Sequence, residues 1–118
     1  MKKILIAEDN DSNFILMTYI LKKYYEFDRA KNGLEAVELA EKYHFDLVLM
    51  DIKMPIMDGL EATKAIKEKH PDLPVIALTA NAFDSDRQLA IEAGCDDFLS
   101  KPVSSELCVK TIHKFVGE

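Results

Sequence analysis

Cysteine is scarce in this chain of 118 residues, and the two present, Cys95 and Cys108, show no metal-ligand spacing. A domain of this length buries a real core without a disulfide, so a reduced, cytosolic setting is expected. Glycine and proline number only four each, with no low-complexity tract or repeat. What remains is an ordinary globular composition, 48% apolar and 31% charged, read as one domain over 1–118. A surplus of basic charge is also missing. The net charge is −6 and the lysines are scattered, which argues against direct nucleic-acid binding; Lys22-Lys23 is read as a solvated helix face. No apolar run approaches the roughly 20 residues that span a bilayer. The opening MKKILIAEDND turns acidic after its short apolar run, so it is not a signal peptide.

Short apolar runs alternate with longer helical patterns along the whole chain. Ile4 to Ala7, Phe27 to Ala30, Leu47 to Met50, Val75 to Leu78 and a stretch centred on Phe98-Leu99 read as strands. Between and after them lie five helical patterns. The first has Asp11 or Ser12 as its cap and carries Phe14, Met17, Ile20, Leu21 and Tyr24. The second carries Ala36, Val37, Ala40 and Tyr43, and the third runs from Leu60 to Lys69 with Asp58 as its cap. The fourth spans Ser85 to Ala93 and closes at Gly94, and the fifth spans Ser105 to Val116. Five βα units predict an α/β, flavodoxin-like, doubly wound parallel sheet of strand order 2-1-3-4-5.

In such a sheet, sites form beyond the carboxyl ends of the strands, where the strand order reverses. Glu8 and Asp9 follow the first strand, Asp51 the third, Thr79 the fourth, and Ser100-Lys101-Pro102 the fifth. Two carboxylates about 4 Å apart repel by roughly 4 kcal/mol at an effective dielectric near 20. Three of them call for protonation or for a cation. Oxygen ligands without histidine or cysteine point to a hard divalent ion, Mg²⁺ or Mn²⁺ in its place, and away from Zn²⁺. That cation and Lys101 would stabilise a transferring phosphoryl group, Thr79 would donate a hydroxyl to it, and Asp51 is the natural nucleophile.

The stretches ILIAEDN (4–10), LVLMDIKMPIMDG (47–59), VIALTANA (75–82) and GCDDFLSKPV (94–103) together resemble the receiver domains of two-component response regulators, over the full length. The resemblance implies that Asp51 accepts a phosphoryl group from the phosphohistidine of a histidine kinase or histidine phosphotransfer domain. It implies Mg²⁺ held by Asp9, by Glu8 directly or through water, by Asp51 and by the backbone carbonyl of Lys53. Thr79 and Lys101 would contact the phosphoryl oxygens, and Thr79 with Phe98 would form the switch. Lys53 and Asn81 would tune dephosphorylation, and the bond before Pro102 would be cis. The switch would remodel the face of the fourth helix, fifth strand and fifth helix toward an output domain or partner. Met54-Pro55 and Asp58-Gly59 would shape the loop after Asp51, with Gly59 supplying permissive backbone angles.

The wording TANAF and DDFLSKPV resembles receivers of hybrid sensor histidine kinases, whose parent protein would be the kinase; the domain itself is not expected to be an enzyme beyond assisting its own phosphorylation and dephosphorylation. No output segment follows the last helix, so a stand-alone regulator or a module of a larger protein is expected, cytoplasmic and without membrane contact. Two rivals are a degenerate receiver that only docks proteins and an aspartate-based metal-dependent phosphatase. The first is disfavoured by the joint presence of Glu8, Asp9, Asp51, Thr79 and Lys101. The second would want an aspartate where Lys53 stands. Flavin binding is disfavoured by the acids after the first strand, which would repel a phosphate. His44, His70 and His113 are read as solvated surface residues, Phe83, Tyr24 and Tyr43 as core or half-buried helix faces, and Cys95 as a small buried hydrophobe.

Overall fold

Alternation of strand and helix carries through the whole computed structural model, which describes residues 1–80 and 85–117. The elements are β1 (Lys3–Ala7), α1 (Asp11–Leu21), β2 (Glu26–Ala30), α2 (Gly33–Lys42), β3 (Leu47–Asp51), α3 (Gly59–Lys69), β4 (Val75–Thr79), α4 (Ser85–Ala93), β5 (Asp97–Ser100) and α5 (Ser105–Val116). All four strand pairings are parallel and the order is β2-β1-β3-β4-β5, as the alternation predicts.

The central strands are apolar without alternation because both faces are covered. Ile4, Ile6, Leu47, Leu49, Ile76, Leu78 and Leu99 pack with Met17, Leu21, Cys108 and Ile112 from α1 and α5. Leu5, Ala7, Val48, Met50 and Val75 pack with Ala36, Ala40, Ala62 and Ile66 from α2 and α3. Ala77 and Ile52 meet Ala90 of α4, with Phe98 half-buried beside them.

Three helices begin where their capping side chains fall: Asn32, Asp58 and Ser104 each accept a backbone N–H from the first turn. α1 departs from expectation by one residue. Asn10, not Asp11 or Ser12, is its N-cap, accepting the Asn13 N–H at 3.0 Å, and Asp11 lies in the first turn. Tyr24 and Tyr43 are exposed, at 54% and 46%. The burial expected of Tyr24 falls to Tyr25, because the helix ends at Leu21 and the chain turns before β2. Tyr43 is the C-cap of α2 and lies under the ammonium groups of Lys3 and Lys42.

Candidate functional site

Pleating decides which strand-end side chains meet. Ile4 and Ile6, Leu47 and Leu49, and Leu99 all point into the α1/α5 layer. Side chains alternate along a strand, so the same parity carries Glu8, Asp51 and Lys101 to that side of the sheet edge. Thr79 has the parity of Val75 and Ala77 and points into the opposite layer, toward α4.

Glu8, Asp9 and Asp51 each offer a carboxylate oxygen within 4.8 Å of the others. Asp9 is exposed, but Glu8 and Asp51 are buried at 1% and 5% exposure. The Lys101 Nζ reaches between them, 3.1 Å from Glu8 Oε1 and 3.1 Å from Asp51 Oδ2. The Lys53 backbone N–H donates to Asp51 Oδ1 at 3.2 Å, and the Asn10 N–H to Glu8 Oε2 at 3.3 Å. Among the described residues, Glu8 Oε1 has the Lys101 ammonium beside it but no hydrogen bond of regular geometry, so one buried carboxylate oxygen is left short of donors.

Charge balance in this crevice is incomplete. Burial first, and then the adjoining Asp51 carboxyl, pushes Glu8 up from 4.5 to about 7, even against the lowering effect of Lys101. Burial works against the charge on Lys101, but hydrogen bonding and attraction from Asp51 and Glu8 outweigh it and hold the ammonium above its ordinary value. Among the described residues a single ammonium, paired with two of the three carboxylates, stands in the crevice, and the donor set is all oxygen. Those two features, with the donor-poor Glu8 Oε1, fit a hard divalent cation.

The loops that hold the acids are themselves tied down. Arg29 of β2 donates from Nε to the Glu8 carbonyl at 3.1 Å and from Nη2 to the Asp9 carbonyl at 3.3 Å, and pairs with Asp11 at 2.9 Å. It straps the β1–α1 turn in place, a role that no local sequence pattern announces. Its signal lies in the parallel register, which sets Arg29 opposite Ile6, two residues before Glu8. On the other side, the Gly59 N–H bonds the Ile52 carbonyl at 3.1 Å and folds the loop back under Asp51. The reading of Gly59 as a source of permissive angles needs correction. The positive φ in this loop, 70°, belongs to exposed Ile56, whereas a Cβ on Gly59 would sit 2.1 Å from the Asp51 carbonyl oxygen. Close approach of two backbones, not rotation, demands glycine there.

Thr79 is fully buried, and its hydroxyl donates to Asp86 Oδ2 at 3.3 Å. The backbone carbonyl of Thr79 accepts the Lys101 N–H at 2.8 Å, which ties β4 to the end of β5. Phe98 is half-buried under the Arg87 guanidinium, 5.0 Å from its ring centre. The Lys53 Nζ is exposed and lies 4.0 Å from Asp86. The Lys101–Pro102 bond is cis. Asn81 and Phe83 lie outside the described residues.

Crevice and histidines stay apart. His44 and His113 are exposed. His70 is only half-exposed, contrary to the solvated reading: it caps the C-terminus of α3 and its Nε2 is buried without a hydrogen bond among the described residues. Cys95 is half-buried, with burial pushing its thiol up, and its Sγ donates to the Thr63 hydroxyl at 3.7 Å.

Comparison with known proteins agrees with this geometry. The family model of the response regulator receiver domain matches residues 4–113. The polar-differentiation response regulator DivK of Brucella ovis is 40% identical over 120 residues, covering 99% of this chain and 98% of that one. A receiver domain of a Pseudomonas aeruginosa sensor histidine kinase, solved with a magnesium ion coordinated in its active-site cleft, superposes with a TM-score of 0.93 at 33% identity. It covers 99% of this chain and 98% of its own. The receiver domain of a Saccharomyces cerevisiae response regulator, solved with the histidine phosphotransfer protein upstream of it, gives a TM-score of 0.92 at 30% identity. It covers 98% of this chain and 89% of its own.

Proposed function

The chain belongs to the response regulator receiver domain family, and from that membership together with the acidic crevice we propose that Asp51 is the phosphoacceptor of a Mg²⁺-dependent signalling switch. The observation that carries this reading is the placement of buried Asp51 beside Glu8 and Asp9 with the Lys101 ammonium 3.1 Å from its Oδ2.

An Asp51 carboxylate oxygen attacks the phosphorus of a phosphohistidine. The new O–P bond forms as the P–N bond breaks, and the electron pair stays on the leaving imidazole. Lys101, already held at this spot by two carboxylates, turns its N–H donors to the phosphoryl oxygens as negative charge accumulates there. The Lys53 N–H holds the orientation of the Asp51 carboxyl. Glu8, Asp9, Asp51 and the Lys53 carbonyl are the groups that would hold Mg²⁺, or Mn²⁺ in its place, and the bound ion would supply Lewis-acid charge neutralisation for the phosphoryl group. Lys53 and Asn81 would govern water's later attack on the aspartyl phosphate. Thr79 and Phe98 would carry the change to the α4–β5–α5 face.

The donor is a histidine kinase or a histidine phosphotransfer domain, acting in the cytoplasm, where the free thiols Cys95 and Cys108 are at home. Among the described residues no helix is long and apolar enough to cross a membrane. Leu16 of α1 is 46% exposed and, with Asn13, Pro102 and Val103, rims a recess that reaches Glu8 and Lys101. Ile15 and Tyr19 extend that apolar surface along α1. Exposed apolar groups beside a charged crevice suit a protein donor. The domain is a phosphoacceptor that assists its own phosphorylation and dephosphorylation; if it is part of a hybrid protein, the parent would be a histidine kinase. Incubation with a radiolabelled phosphohistidine donor and Mg²⁺ tests the reading. Label should pass to the wild type and not to Asp51→Asn, and equal labelling of both proteins would overturn it.

A further inference from the structure

The two switch residues are held by consecutive residues of one helix. Thr79 points away from the acidic crevice, and its hydroxyl donates to the Asp86 carboxylate at 3.3 Å. The next residue, Arg87, lays its guanidinium over the Phe98 ring at 5.0 Å. Asp86 also lies 4.0 Å from the Lys53 Nζ, on the loop that follows Asp51. The first turn of α4 therefore touches β4, β5 and the β3–α3 loop through two adjacent side chains.

Resting on the receiver reading, we infer that Asp86 and Arg87 are positioning residues that clasp Thr79 and Phe98 in the unphosphorylated arrangement and must release both when Asp51 is phosphorylated. The hydroxyl of Thr79 has one proton to donate. It cannot serve the Asp86 carboxylate and a phosphoryl oxygen at once, so phosphorylation competes with the clasp for the same donor. A contact made only in the resting state lowers the apparent affinity for any ligand that favours the other state. Because Asp86 and Arg87 are adjacent, loss of the first contact loosens the turn that holds the second. Thr79 and Phe98 then move together.

Calorimetric titration of the whole chain with beryllofluoride, a stable phosphoryl mimic, in saturating Mg²⁺ reads this competition. Asp86→Ala should bind about fivefold tighter than wild type, the size of one modest hydrogen bond to a charged acceptor. Removing a negative charge near an anion would also tighten binding, so the decisive comparison is made in the Thr79→Val background. There, with no hydroxyl to compete for, Asp86→Ala should gain less than about 1.5-fold. Arg87→Ala should tighten binding by about two- to threefold, as for a partly exposed cation–π contact. Should Asp86→Ala fail to fold, Asp86→Asn, which keeps the shape and a weaker acceptor, should gain about twofold and lose that gain in the same background. Unchanged or weaker binding by the Asp86 variants, or equal gains with and without the Thr79 hydroxyl, overturns the clasp. If wild type binds no beryllofluoride at all, the receiver reading falls and the clasp with it.

Discussion

Lys101 Nζ stands 3.1 Å from Asp51 Oδ2 while also 3.1 Å from the buried Glu8, so one ammonium serves two carboxylates at the end of the sheet. With Asp9 adding a third carboxylate, the crevice gathers more acidic groups than the described ammonium groups pair with. Its chemistry and its cost in stability have the same origin.

Asp9→Asn relieves that repulsion and leaves both Lys101 ion pairs intact. In metal-free buffer at low salt the variant should be more stable than wild type by about 1 kcal/mol, since Asp9 is exposed and its interactions are screened. Mg²⁺ should then stabilise it far less than it stabilises wild type. Urea titrations with and without Mg²⁺ measure both effects.

The raised Glu8 carboxyl gives the metal-free protein a pH dependence of defined sign. Its folded value, about 7, lies above the ordinary 4.5, so the folded state holds this proton more tightly than the unfolded chain. The resulting stabilisation is full below pH 4.5 and is lost as pH rises through 7. Wild type minus Glu8→Gln, compared by denaturant midpoints from pH 4.5 to 8, should show that loss. A flat difference would mean that Glu8 is not crowded. Cation binding at pH 6 should also release protons, which a weakly buffered titration detects.

Gly59→Ala should be among the most damaging small substitutions near the site. The added methyl would lie 2.1 Å from the Asp51 carbonyl oxygen and 2.7 Å from the Ile52 Cα, both backbone atoms that cannot swing aside. A loss of about 3 kcal/mol is expected, with weaker acceptance of phosphoryl groups because Asp51 itself must shift. Thermal unfolding and acetyl phosphate labelling check the two parts.

Leu16→Glu separates docking from chemistry. Its side chain is 46% exposed and rims the recess beside Lys101. Transfer from a protein phosphohistidine donor should slow by about tenfold or more, the loss of one good interface anchor. Labelling by acetyl phosphate, which needs no protein surface, should change by less than about twofold.

Much of the site was legible because buried parallel strands are continuous apolar runs, and a carboxylate just after such a run, as at Glu8 and Asp51, stands out. The cap Asp58 follows from side-chain chemistry within one turn, whereas Asn32 and Ser104 show as caps only once the helix starts are placed. Where several capping residues stand in a row, as in Glu8-Asp9-Asn10-Asp11, local rules could not choose Asn10, since the choice depends on where β1 ends. The Arg29 strap needs the register of β2 on β1. The grip of Asp86 on Thr79 needs the rotation of α4, which the packing of Ala90 onto Ala77 and Ile52 sets. The need for glycine at 59 comes from a backbone met only in three dimensions.

Intact-mass and peptide-level spectrometry after incubation with acetyl phosphate and Mg²⁺ tests the role of Asp51 most directly. A gain of about 80 Da, the mass of one phosphoryl group in place of a proton, should appear on the peptide that contains Asp51. It should require Mg²⁺ and vanish in Asp51→Asn. An unmodified wild type, or an undiminished gain in Asp51→Asn, would contradict the assignment of Asp51 as phosphoacceptor.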